Sequence, residues 1–139
     1  MSKNWVKDIY DMHKKYGVRE AVRKMSRSDL RRFLNFRVKF LEEELNETKL
    51  AAGECIDYVD SEEVVDGLID LCVVAIGTLD AFGIDANKAW DAVLEANMNK
   101  GVGIKESRPN PLGLPDLIKP EGWVAPSHEG NHGDLEKLS

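Results

Sequence analysis

Glu63-Val64-Val65-Asp66-Gly67-Leu68-Ile69-Asp70, running on through Leu71 to Phe82, is the stretch on which the fold turns. Most of Val64 to Phe82 is apolar, yet carboxylates are set into it. Turning each residue by about 100° puts Glu63, Asp66 and Asp70 on one stripe, extended by Val73 and Gly77. The pattern predicts a long helix, capped by Asp60 or Ser61, ended by Gly83 and buried on most of its sides. Asp66 and Asp70 are then expected inside a bundle, with Gly67 and Gly77 letting a neighbouring helix come close. Unpaired buried charge is too costly to stand alone, so something positive should lie against them.

Working back along the chain, Ser26 to Asp29 offers capping chemistry for a helix running to about Ala52. Its apolar positions Leu30, Phe33, Leu34, Val38, Leu41 and Leu45 recur with a period near 3.6, and Gly53 stops it. This helix carries the second acidic cluster, Glu42-Glu43-Glu44-Leu45-Asn46-Glu47. Glu44 and Glu47 fall in the sector shared with Phe33 and Phe40 and are expected to face inward. Glu42 lies well away, and Glu43 sits at the sector's edge. Upstream, Trp5, Ile9, Met12 and Tyr16 mark a helix from Asn4 ended by Gly17, and a short helix from Val18 to Met25 follows. Downstream, a helix starting near Ile84-Asp85 passes through Trp90, Val93, Leu94 and Asn97 to Lys100-Gly101, with Asn97 on its expected inward face.

After Gly101 the character changes. Residues 102–127 hold all five prolines, so regular structure is not expected there. Leu112, Leu114, Leu117, Ile118 and Trp123 make the segment too apolar for free disorder. The reading is an all-α chain with a four-helix-bundle core and an extended Pro-rich arm. Residues 1–101 form the helical domain, and 102–139 form an arm and tail packed on it or on a neighbouring subunit. His128 to Ser139 is polar and expected to be loose.

Composition narrows the partners. The formal net charge of −6 argues against a nucleic-acid binder, which needs a basic face. No apolar stretch reaches membrane-spanning length, because Asp66 and Asp70 interrupt the best candidate. The first residues hold no apolar signal segment. Cys55 and Cys72 fall short of a disulfide framework, and Cys72 lies in the apolar run. A cytoplasmic protein is expected, without membrane or nucleic-acid partners.

Four or five carboxylates from two helices, with no cysteine or histidine at ligand spacing, make a hard all-oxygen donor set. It suits Mg²⁺ or Mn²⁺ rather than zinc or copper. Glu-x-x-His pairs are lacking, which disfavours a di-iron bundle, and no P-loop motif is present. Carboxylate-held Mg²⁺ commonly completes its shell with substrate phosphate oxygens, and one carboxylate can act as general base toward water. Arg37 borders the apolar sector of its helix and either meets phosphate or pairs with Glu44 or Asp66. Asn97 and Lys100 either contact a nucleotide or offset a helix dipole. Trp123 either stacks on a base or anchors a core or interface. His128 and His132 read as solvated.

Glu43-Glu44-Leu45-Asn46-Glu47, fifteen further residues and Glu63-Val64-Val65-Asp66 resemble the E-E-x-x-E…E-x-x-D signature of the all-α nucleoside triphosphate pyrophosphohydrolases. These include MazG proteins, dimeric dUTPases and phosphoribosyl-ATP pyrophosphohydrolases. Asp66-Gly-Leu-Ile-Asp70…Gly77-Thr78, Glu95-Ala-Asn97-Met-Asn99-Lys100 and an arm with Lys119-Pro120 and Trp123 look like those of small single-domain MazG-like proteins of bacteria and phages. The likeness covers residues 30–127. It implies Mg²⁺-dependent cleavage of a nucleoside triphosphate to monophosphate and pyrophosphate, by a homodimer or homotetramer. It carries catalytic roles onto Glu43, Glu44 and Glu47 and metal ligation onto Glu44, Glu47, Asp66, Asp70 and Glu63. It carries a substrate role onto Asn97 and Lys100, and Arg37, Trp123 and Lys119 are the further candidate substrate contacts among the residues. One departure stands out: many relatives place Glu three residues before the Asp that opens the apolar run, where this chain has Gly67. Either Asp66 with Asp70 or Glu63 with Asp66 is the second ligand pair, and the inward stripe favours the former. The competing reading is a non-catalytic helical oligomer that binds nucleotides or a protein partner.

Overall fold

Ser26 accepts a hydrogen bond from the Asp29 amide at 3.1 Å, and from this cap a helix of 25 residues, α3 (Arg27–Ala51), begins. Asp60 does the same for the Glu63 amide, also at 3.1 Å, at the head of α4 (Ser61–Ala81). Both starts lie where the capping residues predict them. The computed structural model describes residues 3–54 and 57–139 and is mostly helical, so Cys55 falls outside the described residues. Ahead of the two long helices come α1 (Trp5–Tyr16), closed by Gly17 at φ 69°, and α2 (Val18–Arg23).

The chain forms two compact units. The first takes the residues up to Ala86 together with His132–Ser139, and the second is Asn87–Asn131. In the first unit α3 and α4 run antiparallel. Arg37 reaches Val74 and Thr78, while Thr48, further along α3, meets Gly67 near the start of α4. The core gathers at one end of this pair, where Val22, Leu30, Ala81 and Phe82 are buried and Phe33 packs on Phe82 with ring centroids 5.7 Å apart. Leu30 and Phe82 are almost fully enclosed, each contributing roughly 1.5–3 kcal/mol of apolar burial.

The C-terminal residues are not a loose tail. Gly133–Leu138 forms a 3₁₀ turn, the Asp134 amide donates to the Phe82 carbonyl at 2.7 Å, and Leu135 and Leu138 pack against the core. Two leucines outweigh the polar character of the surrounding residues. A second correction concerns α4, which is not buried on most sides. Within this chain α3 and α1 cover part of it, and Val65, Leu68 and Ile69 remain 64%, 52% and 45% exposed. Asp66 is therefore exposed and Asp70 half-buried.

The second unit holds most of α5 (Ala86–Met98) and two short strands, β1 (Gly101–Gly103) and β2 (Asp116–Ile118), paired antiparallel with Gly101 opposite Ile118. This ladder was not expected among the prolines, but none of the five falls inside either strand. The covered face of α5 carries Ala96 and Asn97, whereas Trp90, Val93 and Leu94, expected inward, are exposed. Among the described residues no single helix is long and apolar enough to cross a membrane.

Candidate functional site

The antiparallel seam of α3 and α4 sets Glu44 opposite the acidic stripe. Burial, slight though it is, and the charges of Glu47, Asp70, Asp66 and Glu43 raise the Glu44 carboxyl above the ordinary carboxylate range. Two of those four charges come from α4, so the two acidic clusters are felt as one field. Glu44 and Asp70 are half-buried, while Glu43, Glu47, Glu63 and Asp66 are exposed. The inward placement expected of Glu47 and Asp66 is therefore corrected, because the chain leaves this stretch of the seam open. Among the described residues, none of these six carboxylates has a basic side chain within ion-pair distance.

Backbone packing fixes the spacing of the seam. Thr48 donates its hydroxyl to the Glu44 carbonyl at 2.8 Å and lies directly against Gly67. A side chain at position 67 would strike Thr48, so the seam as packed here requires glycine at this position. As placed, no three His, Cys, Asp or Glu side chains among the described residues converge into a ready-made metal cluster. The donor set itself, carboxylate oxygens repelling one another on a solvent-open seam, has the chemistry of a site for a hard divalent cation.

Arg37 pairs with neither Glu44 nor Asp66. Its Nε donates to Thr78 Oγ1 at 3.0 Å and its Nη2 to the Val74 carbonyl at 3.0 Å. Thr78 in turn donates to the same carbonyl at 2.7 Å. Burial lowers the proton affinity of the guanidinium below its ordinary value. Next to it His13, buried on α1, meets the buried Asp80 of α4, Nδ1 to Oδ2 at 2.8 Å. The sequence pattern gave no sign of this pair, because His13 and Asp80 lie on two separate helices, 67 residues apart in the chain. The only hint is Gly77, whose bare face admits both the Arg37 guanidinium and the His13 ring.

In the second unit the β1–β2 register brings Lys100 and Lys119, the residues flanking the ladder at one end, together. Both ammonium groups stand 5.1 Å from the Trp123 ring centroid. The indole is fixed by its Nε1, which donates to the Ala96 carbonyl at 2.8 Å, and Asn97 is the next residue on α5. Two like charges against one ring repel each other, and an anion relieves that repulsion. Lys100, Lys119 and Trp123 thus form one group, with Asn97 adjacent in the chain. Opposite that end of the ladder, the Leu117 amide and Arg108 hold Asp116 below the usual carboxylate range. A separate groove in the first unit, lined by Trp5, Ile9, Ile69, Cys72, Val73 and Ile76 with Asp8 as its one carboxylate, is largely apolar and includes none of the candidate site residues.

Comparison with known families matches residues 18–97 to phosphoribosyl-ATP pyrophosphohydrolase. The matched span includes α2, α3 and α4, and with them both acidic clusters and Arg37. Neither the curated proteins nor the solved structures give a significant match.

Proposed function

Because the chain belongs to the phosphoribosyl-ATP pyrophosphohydrolase family, whose members hydrolyse pyrophosphate from a nucleotide-like substrate, we propose that it cleaves a (deoxy)nucleoside triphosphate to the monophosphate and pyrophosphate. Within this all-α superfamily the chain reads as a MazG-like protein. The observation that carries the proposal is the placement of both acidic clusters along one α3–α4 seam, where burial and four neighbouring carboxylates raise the Glu44 carboxyl and no basic side chain among the described residues pairs with them. A group of acids kept at mutual repulsion is stabilised by a divalent cation, and Mg²⁺ or Mn²⁺ fits the oxygen donors. Glu44, Glu47, Asp66 and Asp70 would hold it, with Glu63 at the head of the stripe. When bound, the ion supplies positive charge for phosphate oxygens and acidifies water.

The chain's own residues do the rest. A carboxylate of the Glu43, Glu44 and Glu47 set accepts the proton of the attacking water. The water oxygen bonds to phosphorus and the bridging P–O bond to pyrophosphate breaks. Asn97, Lys100, Lys119 and Trp123 offer ammonium groups for phosphate and an aromatic face for a base. Arg37 supplies the cation of the seam. A homodimer or homotetramer accounts for the exposed Val65, Leu68 and Ile69, which a second copy would cover.

The test is release of inorganic pyrophosphate from the eight common triphosphates, with oxidised and uracil-containing nucleotides added. We expect turnover with Mg²⁺, abolished by EDTA and by Glu47→Gln. Protein that binds nucleotide equally well without metal and with Glu47 and Asp70 neutralised, and that hydrolyses nothing, is a binding oligomer instead.

A further inference from the structure

We propose that Arg37 is a phosphate contact at the α3–α4 seam and that Thr78 is its positioning residue, with Gly77 kept bare so that the guanidinium can lie against α4. The inference rests on the hydrolase reading for the nature of the anion, but its geometry stands separately. Arg37 and Glu44 are seven residues apart on α3, two turns or about 10 Å along the axis, and both face α4. The seam therefore carries its cation and its acidic field on one line.

The guanidinium is held in a set direction. Thr78 commits its hydroxyl proton to the Val74 carbonyl, so its lone pair is what faces Arg37 Nε. The same carbonyl takes a proton from Nη2. A guanidinium has five N–H donors. Two are engaged here, and among the described residues no carboxylate pairs with it. Asp80, the acid of this cluster, is bonded to His13. A half-buried cation with donors to spare and no counter-charge is a place for an anion. Gly77 makes the arrangement possible. A Cβ there would stand 2.7 Å from Arg37 Nη2 and 3.3 Å from the His13 ring.

Titration of the intact chain with inorganic pyrophosphate in the presence of Mg²⁺, followed by calorimetry, tests this apart from turnover. Arg37→Lys should weaken binding by about tenfold, because a lysine cannot make the paired contacts of the guanidinium. Thr78→Val, which keeps the branched shape, should weaken it by roughly threefold to tenfold, and Thr78→Ser should restore it. The double variant Arg37→Lys with Thr78→Val should bind no worse than Arg37→Lys alone, as expected if Thr78 acts through Arg37. Gly77→Ala leaves both partners in place but displaces the flexible end of Arg37, and should lose affinity while keeping its helical content. Unchanged affinity in Arg37→Lys, or additive losses in the double variant, overturns the proposal and leaves the hydrolase reading intact. Pyrophosphate binding that depends on Arg37 and Thr78 in a protein that hydrolyses no nucleotide supports the proposal and overturns the hydrolase reading.

Discussion

Gly67 of α4 lies so close to Thr48 of α3 that a Cβ on the glycine would overlap the threonine hydroxyl and come within 3.3 Å of its Cβ. Thr48 is β-branched and tied to the Glu44 carbonyl, so it has little room to yield. Gly67→Ala should cost about 1–3 kcal/mol by overpacking, read as a lower midpoint in thermal unfolding. Gly67→Glu should cost at least as much. A variant that melts with wild type would show that the helices need not approach this closely.

Glu44 carries the electrostatic burden of the seam. Its carboxyl binds protons more readily in the folded chain than in the unfolded one. Between the ordinary carboxylate value and the raised one, the folded state holds more protons. Its contribution to stability is therefore more favourable at the acidic side and falls as pH rises through that window. At neutral pH Glu44→Gln should raise the melting temperature of metal-free protein slightly while abolishing pyrophosphate release. Mg²⁺ should raise the melting temperature of wild type more than that of the variant.

The His13–Asp80 contact ties α1 to the end of α4 away from sheltering water. His13→Ala or Asp80→Ala removes one member and leaves the other buried without its partner, at a cost of about 1–3 kcal/mol. In a double-mutant cycle the combined loss should be smaller than the sum of the single losses. Chemical denaturation of the four proteins measures it, and strict additivity would show that the contact contributes nothing.

Lys100 and Lys119 crowd the same indole. Lys119→Met removes one of the two charges, so nucleotide affinity should fall roughly threefold to tenfold and become less sensitive to salt. Fluorescence titration in a background with Trp5 and Trp90 replaced by Phe isolates the Trp123 signal. Equal affinity at low and high salt in wild type would argue that these ammonium groups do not contact an anion.

The helices and their caps were legible because local chemistry decides them. Ser26, Asp60, Gly17, Gly53 and Gly83 stand where their φ angles or side-chain oxygens are used. Arg37 was recognised as a seam residue, but periodicity could not choose between its partners, and it took a hydroxyl and a carbonyl rather than a carboxylate. Burial was the part that misled. An apolar run states that a helix prefers cover, not how much of it one chain supplies, so Asp66 and Glu47 emerged at the surface. Leu135 and Leu138 were hidden inside a polar tail because two side chains make no periodic signal.

The return of His132–Ser139 to the core around Phe82 makes the first unit discontinuous in sequence, with Asn87–Asn131 as an insertion within it. Synthesis therefore delivers the whole of the second unit before the last pieces of the first exist. The partial core of Val22, Leu30, Ala81 and Phe82 must wait through that interval without Leu135 and Leu138. The turn at Gly133–Leu138 thus acts as a latch, and its closure onto Phe82 carries the loop-closure entropy of the whole intervening segment.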